Sequence, residues 1–268
     1  MTYALSPDGL RRIRDFVRGR ALLAFDIDGT LAPIVAKPWD ARIPDQLQVS
    51  LASLCAKAVV AIVTGRAIAD ARRMLKFRPR YLIGNHGAEG VPGVDAGARN
   101  FEATCRGWLA ALYAEGAALS PPPGIVVEDK TYSLALHYRH ADDVDVARQW
   151  LEKHALALTP RPRLIPGKFV LNLLPPGAPH KGDALLALLA HSGLARAIYV
   201  GDDVTDEAVF RLGSPPVLPV CVAPGRDGVS DLFLTSQGEI GPFLEELVHS
   251  LEQHRPRAFE AAGCRECG

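Results

Sequence analysis

Four short apolar runs along the chain are each followed at once by a polar cluster. The runs cover residues 21–25, 59–63, 81–83 and 197–200. Each is too short for a helix and apolar at nearly every position, which is typical of strands that are buried on both faces. Helical patterns lie between them at residues 44–56, 68–75 and 181–191. This alternation predicts an α/β fold with a Rossmann-like, doubly wound parallel sheet.

The middle of the chain has a different pattern. Strand-like stretches at 125–128, 133–137, 159–165 and 169–173 are joined by short turns, with helical patterns at 101–114 and 144–154. Such a pattern predicts an inserted antiparallel α+β module. Proline-rich segments at Pro92-Gly93 and at residues 175–179 flank the module and are interpreted as hinges between two domains.

Charge and cysteine content limit the possible partners. The 30 basic residues equal the 30 acidic ones, so no overall field attracts nucleic acid or an anionic membrane. No stretch has the length and apolarity of a membrane span or a signal peptide. Of the five cysteines, Cys55, Cys105 and Cys221 are isolated among apolar neighbours and indicate reduced thiols. Cys264 and Cys267 form a C-terminal CxxC, and two ligands alone cannot make a closed zinc site. We therefore expect a monomeric cytoplasmic protein that binds a small molecule.

The first polar cluster places two carboxylates close together. Asp26 and Asp28 follow the run at 21–25, and Gly29 allows the backbone to turn sharply there. Their like charges repel unless a cation lies between them, and oxygen ligands suit Mg²⁺. Taken alone, this pattern fits a turn capped by aspartates about equally well.

A second acidic cluster follows the run at 197–200. Asp202 and Asp206 could simply begin a helix, where acidic residues are common. However, the carboxyl ends of parallel strands meet at one edge of the sheet, where open α/β sheets bind ligands. The two clusters therefore predict one Mg²⁺ site formed by Asp26, Asp28, Asp202 and Asp206. We expect Asp28 to contribute its backbone carbonyl and Asp206 to act through a metal-bound water.

Thr64 and Lys181 complete this set. Thr64, with Gly65 and Arg66, lies at a strand-to-helix turn whose hydroxyl and N–H groups can hold a phosphate. Lys181 begins the helix at 181–191, where the helix dipole disfavours a cation, so it needs an anionic partner. Each residue alone is more often structural, but beside the two acidic loops they indicate a phosphate site.

These residues carry a resemblance to a known family. The ordered set Asp26-x-Asp28, Thr64, Lys181 and Gly201-Asp202-Asp203-x-x-Asp206 resembles the four motifs of the haloacid dehalogenase superfamily. Segments 25–35, 62–66, 84–87, 127–130, 133–139 and 201–207 are similar, more narrowly, to trehalose-6-phosphate phosphatases. The resemblance implies a core domain at residues 1–96 and 177–268 and an inserted α+β cap domain at 97–176, which selects the substrate.

The resemblance also implies an activity. A phosphatase of this family would hydrolyse trehalose 6-phosphate with Mg²⁺ through an aspartyl phosphate on Asp26. Asp28 would act first as general acid and then as general base, and we expect it to be buried among carboxylates. Thr64 and Lys181 would hold the phosphate oxygens.

Substrate-binding residues are expected from both domains. The set is Thr64, Gly65, Arg66, His86, Glu128, Lys130, Arg139, Asn172 and Lys181. Glu128 and Lys130 lie at a predicted turn of the cap and would reach sugar hydroxyls. Asn172 and Leu174 depart from the family pattern, which has glutamate and arginine at these positions. This departure leaves the identity of the sugar open.

Three other interpretations remain. The chain could be a phosphatase for another glycosyl phosphate, such as sucrose 6-phosphate or a glycosyl-phosphoglycerate. It could be a regulatory phospho-aspartate module of the receiver type, which also has an Asp, a Thr and a Lys on a parallel sheet. Two features disfavour a receiver. Asp28 would speed dephosphorylation, and a receiver lacks a large cap. A catalytically inactive binding protein would have no need of the intact motifs.

Overall fold

The structure is a computed structural model that describes residues 1–18, 20–35, 37–93, 95–113, 123–202, 204–214, 216–224 and 230–253. Cys264 and Cys267 lie outside these ranges. The predicted α/β fold is confirmed, because a large parallel sheet carries the core and a smaller antiparallel sheet lies between its fourth and fifth strands in chain order. None of the helices within these ranges is long and apolar enough to cross a membrane.

Eleven strands lie within the described ranges. They are β1 (Thr2–Tyr3), β2 (Leu22–Phe25), β3 (Val59–Val63), β4 (Tyr81–Ile83), β5 (Val126–Asp129), β6 (Leu134–His137), β7 (Arg163–Gly167), β8 (Val170–Leu174), β9 (Ala197–Gly201), β10 (Val217–Val222) and β11 (Leu232–Leu234). The large sheet has the order β1-β11-β10-β9-β2-β3-β4 and is parallel throughout. Because β9, β2 and β3 are neighbours, the loops that follow them meet at one edge.

Helices cover both faces of this sheet. The described helices are α1 (Pro7–Val17), α2 (Asp45–Cys55), α3 (Ile68–Met74), α4 (Asp95–Tyr113), α5 (Val144–Ala155), α6 (Lys181–Ser192), α7 (Glu207–Phe210) and α8 (Ile240–Gln253). Side chains of β2 alternate between the two faces, with Leu23 and Phe25 in one core cluster and Leu22 and Ala24 in the other. A strand buried on both faces has to be apolar at every position, which explains the continuous runs in the sequence.

The antiparallel sheet has the order β5-β6-β8-β7, and one of its faces packs against α4 and α5. That packed face carries Leu134, Leu136, Leu171 and Leu173. The opposite face carries a line of direct neighbours across the sheet: Glu128, Ala135, Asn172 and Ile165. We call β5 to β8 with α4 and α5 the cap. The domain boundaries near residues 96 and 177 remain a prediction.

Some sequence-based elements need correction. The third strand of the cap was predicted at 159–165 with a turn at Pro166-Gly167, but β7 spans Arg163–Gly167 and the chain turns at Lys168 and Phe169 instead. Phe169 has a positive φ of 60°, which a turn permits and which the sequence does not signal. Strands β1, β10 and β11 were not predicted. Two of them are very short, and Pro219 interrupts the strand pattern of β10.

Candidate active site

Asp26 lies directly after β2 and is buried. One of its carboxylate oxygens, Oδ2, is 2.9 Å from Nζ of Lys181. The other oxygen, Oδ1, is buried and has no hydrogen-bond partner among the described residues. Because buried polar atoms nearly always have a partner, this oxygen suits a contact with a donor or a cation.

Lys181 is the first residue of α6 and is also buried. Its Nζ lies 2.8 Å from Oδ1 of Asp206 in addition to the contact with Asp26. Burial alone would lower the pKa of Lys181, but the carboxylates of Asp206 and Asp26 outweigh burial and raise this pKa. Lys181 is therefore charged, and the anionic partners that its position at a helix N-terminus requires are present.

Asp206 holds the loop after β9 in place. Its Oδ1 accepts a hydrogen bond of 2.5 Å from the Tyr199 hydroxyl, and its Oδ2 accepts one of 3.0 Å from the Asp202 N–H. A Cβ on Gly201 would lie 2.4 Å from the Asp206 carboxyl carbon, so glycine is needed there. Since both Asp206 oxygens accept from protein donors, Asp206 suits a position outside the direct ligands of a metal.

The loop after β2 also approaches Asp202 closely. The Thr30 hydroxyl donates a hydrogen bond of 3.1 Å to Oδ1 of Asp202. Gly29 has a positive φ of 80°, and a Cβ on it would lie only 1.9 Å from Oδ2 of Asp202. Glycine at this position therefore allows the two acidic loops to meet.

The acidic cluster fits a divalent cation. Asp26, Asp202 and Asp206 each offer an oxygen, and these oxygens lie within 4.8 Å of one another. Burial raises the pKa of Asp26, Lys181 lowers it, and Asp206 and Asp202 raise it again, so that the net shift is well upward. The single positive charge of Lys181 does not balance three carboxylates. A set of oxygen donors that lacks positive charge suits a hard cation such as Mg²⁺.

The expectation that Asp28 is buried among carboxylates is wrong. Its side chain is 41% exposed and pairs with Arg66, whose Nε and Nη2 donate to its two oxygens at 2.7 and 2.6 Å. The cause is the tight turn after β2, in which the Gly29 N–H donates to the Ala32 carbonyl. This turn directs Asp28 toward the loop after β3 instead of the loop after β9.

The loop after β3 contains the predicted phosphate-binding residues. Thr64 is buried, and its hydroxyl oxygen accepts a hydrogen bond of 3.2 Å from the Arg66 N–H. A Cβ on Gly65 would lie 2.3 Å from Cε1 of His86, so the histidine ring packs directly against the glycine backbone. The structure therefore brings Thr64, Gly65, Arg66 and His86 together.

His86 is buried in this group in a left-handed backbone conformation, with φ 56°. Its Nδ1 has no hydrogen-bond partner among the described residues. Burial lowers the pKa of His86 well below its usual value, and the positive charges of Lys181, Lys130 and Arg163 lower it further, while Asn172 opposes them. His86 is therefore a neutral side chain surrounded by cations.

Two of the predicted cap residues, Glu128 and Lys130, each make a polar contact. Oε2 of Glu128 lies 2.8 Å from Nε2 of His137, on the next strand. Nζ of Lys130 donates a hydrogen bond of 3.4 Å to the Gly65 carbonyl. Burial lowers the pKa of Lys130, and Glu128 opposes that shift. Lys130 thus reaches from the cap to the phosphate-binding loop.

The other two predicted cap residues differ in position. Asn172 is buried on the face of the cap sheet that also carries Glu128 and Ile165, which we call the open face. Its Nδ2 donates a hydrogen bond of 3.3 Å to the Ile165 carbonyl. Arg139 is not brought to this group. Its guanidinium lies 5.1 Å from the centre of the Phe169 ring. Arg139 follows the C-terminal end of β6, whereas Ser133 precedes the N-terminal end.

Asn85 was not predicted, and it joins the cap to the core. Its buried side chain donates to Oε2 of Glu89 at 2.9 Å and to the Lys130 carbonyl at 3.1 Å. Its Oδ1 accepts a hydrogen bond of 2.6 Å from the Ser133 hydroxyl. The polar cluster that follows β4 in the sequence signals a site, but not this role. Tyr199 was missed as well, because nothing in the sequence distinguishes it from an ordinary core residue. Thr30 was also missed, although it directly follows the cluster of Asp26, Asp28 and Gly29.

Comparisons with known proteins identify the family of this chain. The model of the family described as trehalose-phosphatase matches residues 24–220. The chain is similar to a trehalose-phosphate phosphatase of Mycobacterium tuberculosis (strain ATCC 25618 / H37Rv), with 31% identity over 94% of this chain and 68% of the relative. A trehalose-phosphate phosphatase of Mycobacterium avium (strain 104) is 31% identical over 85% of this chain and 62% of its own length.

Solved structures share the fold. The C-terminal domain of a C. albicans trehalose-6-phosphate phosphatase has a TM-score of 0.70 at 23% identity, over 93% of this chain and 98% of that one. The sucrose-phosphatase from Synechocystis sp. PCC6803 has a TM-score of 0.56 at 19% identity, over 86% and 98%. At such identities a structural likeness shows the fold alone. The family, however, is shown by the sequence match over most of the chain, and the chain belongs to the trehalose-phosphatase family.

Proposed function

We propose that the protein hydrolyses trehalose 6-phosphate to trehalose and inorganic phosphate through an aspartyl phosphate on Asp26. The observation that carries this proposal is the pairing of the buried Asp26 with Lys181 while its other oxygen has no partner among the described residues. Such a carboxylate is fixed in position by one oxygen and free to react through the other. Membership of the family supports the choice of substrate.

In the first half-reaction, the unpartnered oxygen of Asp26 forms a bond to phosphorus as the bond from phosphorus to the sugar oxygen breaks. Asp28 must carry a proton at this step, so one of the two hydrogen bonds from Arg66 gives way, and Asp28 then passes that proton to the departing sugar oxygen. Lys181 and the Thr64 hydroxyl bind the phosphate oxygens, on which negative charge accumulates in the transition state.

In the second half-reaction, a water molecule attacks the phosphorus of the aspartyl phosphate. Asp28 takes the proton from that water, the bond between phosphorus and the Asp26 oxygen breaks, and inorganic phosphate leaves. Asp28 returns to the protonated state in which it began, so the cycle closes without another proton donor.

Mg²⁺ completes the proposal. Asp26, Asp202 and the backbone carbonyl of Asp28 would hold it, with Asp206 linked through water. When bound, Mg²⁺ supplies positive charge that reduces the repulsion between the Asp26 carboxylate and the phosphate dianion. We place the leaving sugar against the open face of the cap sheet, where Glu128, Lys130 and Asn172 offer polar groups.

We also propose that the protein is a monomer, acts in the cytoplasm, and needs neither nucleic acid nor a membrane. The balance of 30 basic and 30 acidic residues supports the last point, because it gives the chain no strong field of one sign that would attract nucleic acid or an anionic membrane.

Phosphate release from a panel of sugar phosphates in the presence of Mg²⁺ tests the proposal. The panel is trehalose 6-phosphate, sucrose 6-phosphate, glucosyl-phosphoglycerate and glucose 6-phosphate. We expect kcat/KM for trehalose 6-phosphate to exceed that of every other member. The uncharged Asn172 keeps the other glycosyl phosphates as the second candidate class, and a tenfold preference for one of them would replace trehalose 6-phosphate. Absence of phosphate release from all four would contradict the proposed activity.

A further inference from the structure

Arg163 is a half-buried cation that the proposed mechanism does not use. It is the first residue of β7, an edge strand of the cap sheet. Its Nη2 donates a hydrogen bond of 3.2 Å to the Pro179 carbonyl. Among the residues that the structure describes, no carboxylate lies within ion-pair distance of it. Burial lowers the pKa of Arg163, and the negative charge of Asp183 opposes this only in part.

Such an arginine costs free energy in the absence of a ligand. A guanidinium that is partly removed from water loses hydration, which one hydrogen bond to a carbonyl replaces only in part. The group has five N–H donors in one plane, so most of its binding capacity remains after the bond to Pro179.

The pairing of strands places Arg163 on the open face of the cap sheet. Arg163 is directly opposite Leu174, and Ile165 is directly opposite Asn172. Because side chains alternate along a strand, residues 163 and 165 point to the same side, and so do 172 and 174. Arg163 therefore shares a face with Asn172, opposite the face that carries Leu171 and Leu173.

This part of the open face adjoins the phosphate-binding loop. The charge of Arg163 helps to lower the pKa of His86, and the His86 ring packs against Gly65. Pro179, which accepts the hydrogen bond from Arg163, is two residues before Lys181. Arg163 thus lies where the cap, the phosphate-binding loop and the start of α6 come together.

We propose that Arg163 is a specificity-determining residue that donates hydrogen bonds to hydroxyl groups of the leaving sugar. This proposal rests on the proposed function. A planar guanidinium can donate two parallel hydrogen bonds to neighbouring oxygens, which an aliphatic side chain such as Leu174 cannot do. Adjacent hydroxyl groups of a sugar ring present oxygens in that arrangement.

The test compares Arg163→Gln with Arg161→Gln, which changes an exposed arginine two residues earlier. For each variant, kcat and KM are measured with trehalose 6-phosphate and with p-nitrophenyl phosphate, which has no sugar. We expect the ratio of the two kcat/KM values to fall at least about tenfold in Arg163→Gln, mainly through a higher KM for the sugar phosphate. The ratio should be unchanged in Arg161→Gln.

An equal loss on both substrates, mainly in kcat, would overturn the proposal, because it would show that Arg163 acts through Pro179 and the position of α6. An unchanged ratio would overturn it as well. If Arg163→Gln does not fold, Arg163→Lys keeps the charge but loses the paired donors, and a wild-type ratio would again contradict the proposal. If the wild type prefers another glycosyl phosphate, the proposed substrate is wrong, and the same ratio measured with that sugar tests Arg163 independently.

Discussion

Arg66 donates two hydrogen bonds to the carboxylate of Asp28, at 2.6 and 2.7 Å. The two residues come from loops that follow neighbouring strands, β2 and β3. A bidentate pair of this kind fixes both the position and the plane of the carboxyl group. Because Asp28 is proposed to transfer a proton to the leaving oxygen, its orientation should matter most when that oxygen is strongly basic.

We therefore predict different effects of Arg66→Met on two substrates. Without Arg66, kcat for trehalose 6-phosphate should fall by about 10- to 100-fold, within the range of general acid catalysis. The loss for p-nitrophenyl phosphate should be smaller, since p-nitrophenolate is a weak base that leaves without a proton. Arg72→Met, at an exposed position on α3, is the matched control. Equal losses on the two substrates would contradict a role in proton transfer.

Replacement of Asp26 and Asp28 should separate the two half-reactions. Asp26→Asn should abolish nearly all activity while the fold is retained, because an amide cannot form the acyl phosphate. Asp28→Asn should still be phosphorylated slowly by a substrate with a good leaving group and should accumulate the intermediate. Intact-mass spectrometry would show one added phosphate in Asp28→Asn and none when Asp26→Asn is also present. Substantial turnover by Asp26→Asn would rule out the aspartyl-phosphate mechanism.

Removal of the metal should abolish activity. EDTA should inactivate the enzyme, Mg²⁺ should restore it, and Ca²⁺ should bind without restoring it. Ca²⁺ accepts more ligands at longer distances, so it would not hold Asp26 and the phosphate in line. Phosphate release at the full rate in excess chelator would contradict the Mg²⁺ site.

The raised pKa of Asp26 predicts that metal-free protein loses stability as the pH rises. In the window between the unfolded value, about 3.9, and the higher folded value, folded Asp26 keeps a proton that the unfolded chain has released. The free energy of unfolding therefore decreases with increasing pH through this window. Mg²⁺ binds the ionised carboxylate, so its stabilising effect should increase with pH.

This dependence can be measured as Tm in EDTA and in Mg²⁺ over a pH series. Asp26→Asn, which does not ionise at this position, is the control and should lose the part of the dependence that Asp26 contributes. The raised pKa of Lys181 does not affect this comparison. The contribution of Lys181 to the free energy of unfolding is lost only as the pH rises above about 10.4. A wild-type profile identical to that of Asp26→Asn would show that Asp26 is ionised without the metal.

Lys130→Ala should act on sugar recognition. Lys130 reaches the phosphate-binding loop from the cap, and its loss should lower kcat/KM for trehalose 6-phosphate by about one to three kcal/mol in transition-state free energy. The effect on p-nitrophenyl phosphate should be much smaller, since that substrate has no sugar to contact the cap. Lys168→Ala, at an exposed turn of the cap, is the control. Equal losses on both substrates would assign Lys130 to closure or folding.

The sequence predicts the strands that carry the site because these strands are buried on both faces. β2, β3, β4 and β9 stand out as continuous apolar runs, and each predicted cluster follows one of them. The need of Lys181 for an anionic partner was also predictable, because the helix dipole acts locally. Such inferences depend only on residues near one another in the chain.

Features that depend on register or on a single turn were not predictable. The departure at Leu174 is evident in the sequence, but the position of Arg163 directly opposite follows only from the pairing of β7 with β8. The direction of Asp28 depends on the turn at Gly29, and the contacts of Asn85 depend on how the cap meets the core. One residue of slip in a strand would reverse the face of each side chain.

The Asn85 side chain has a consequence for the rate of turnover. A movement that draws the cap away from the core breaks the hydrogen bonds that the Asn85 side chain makes with Lys130 and Ser133. At about 0.5–1.5 kcal/mol each, these two bonds favour the closed arrangement by a factor of about 5 to 150. A disaccharide that enters only when the cap opens would bind with an apparent affinity reduced by the fraction of open molecules. For such a substrate, the rate at which the cap opens at Asn85 sets an upper limit on kcat, however fast the chemistry at Asp26 is.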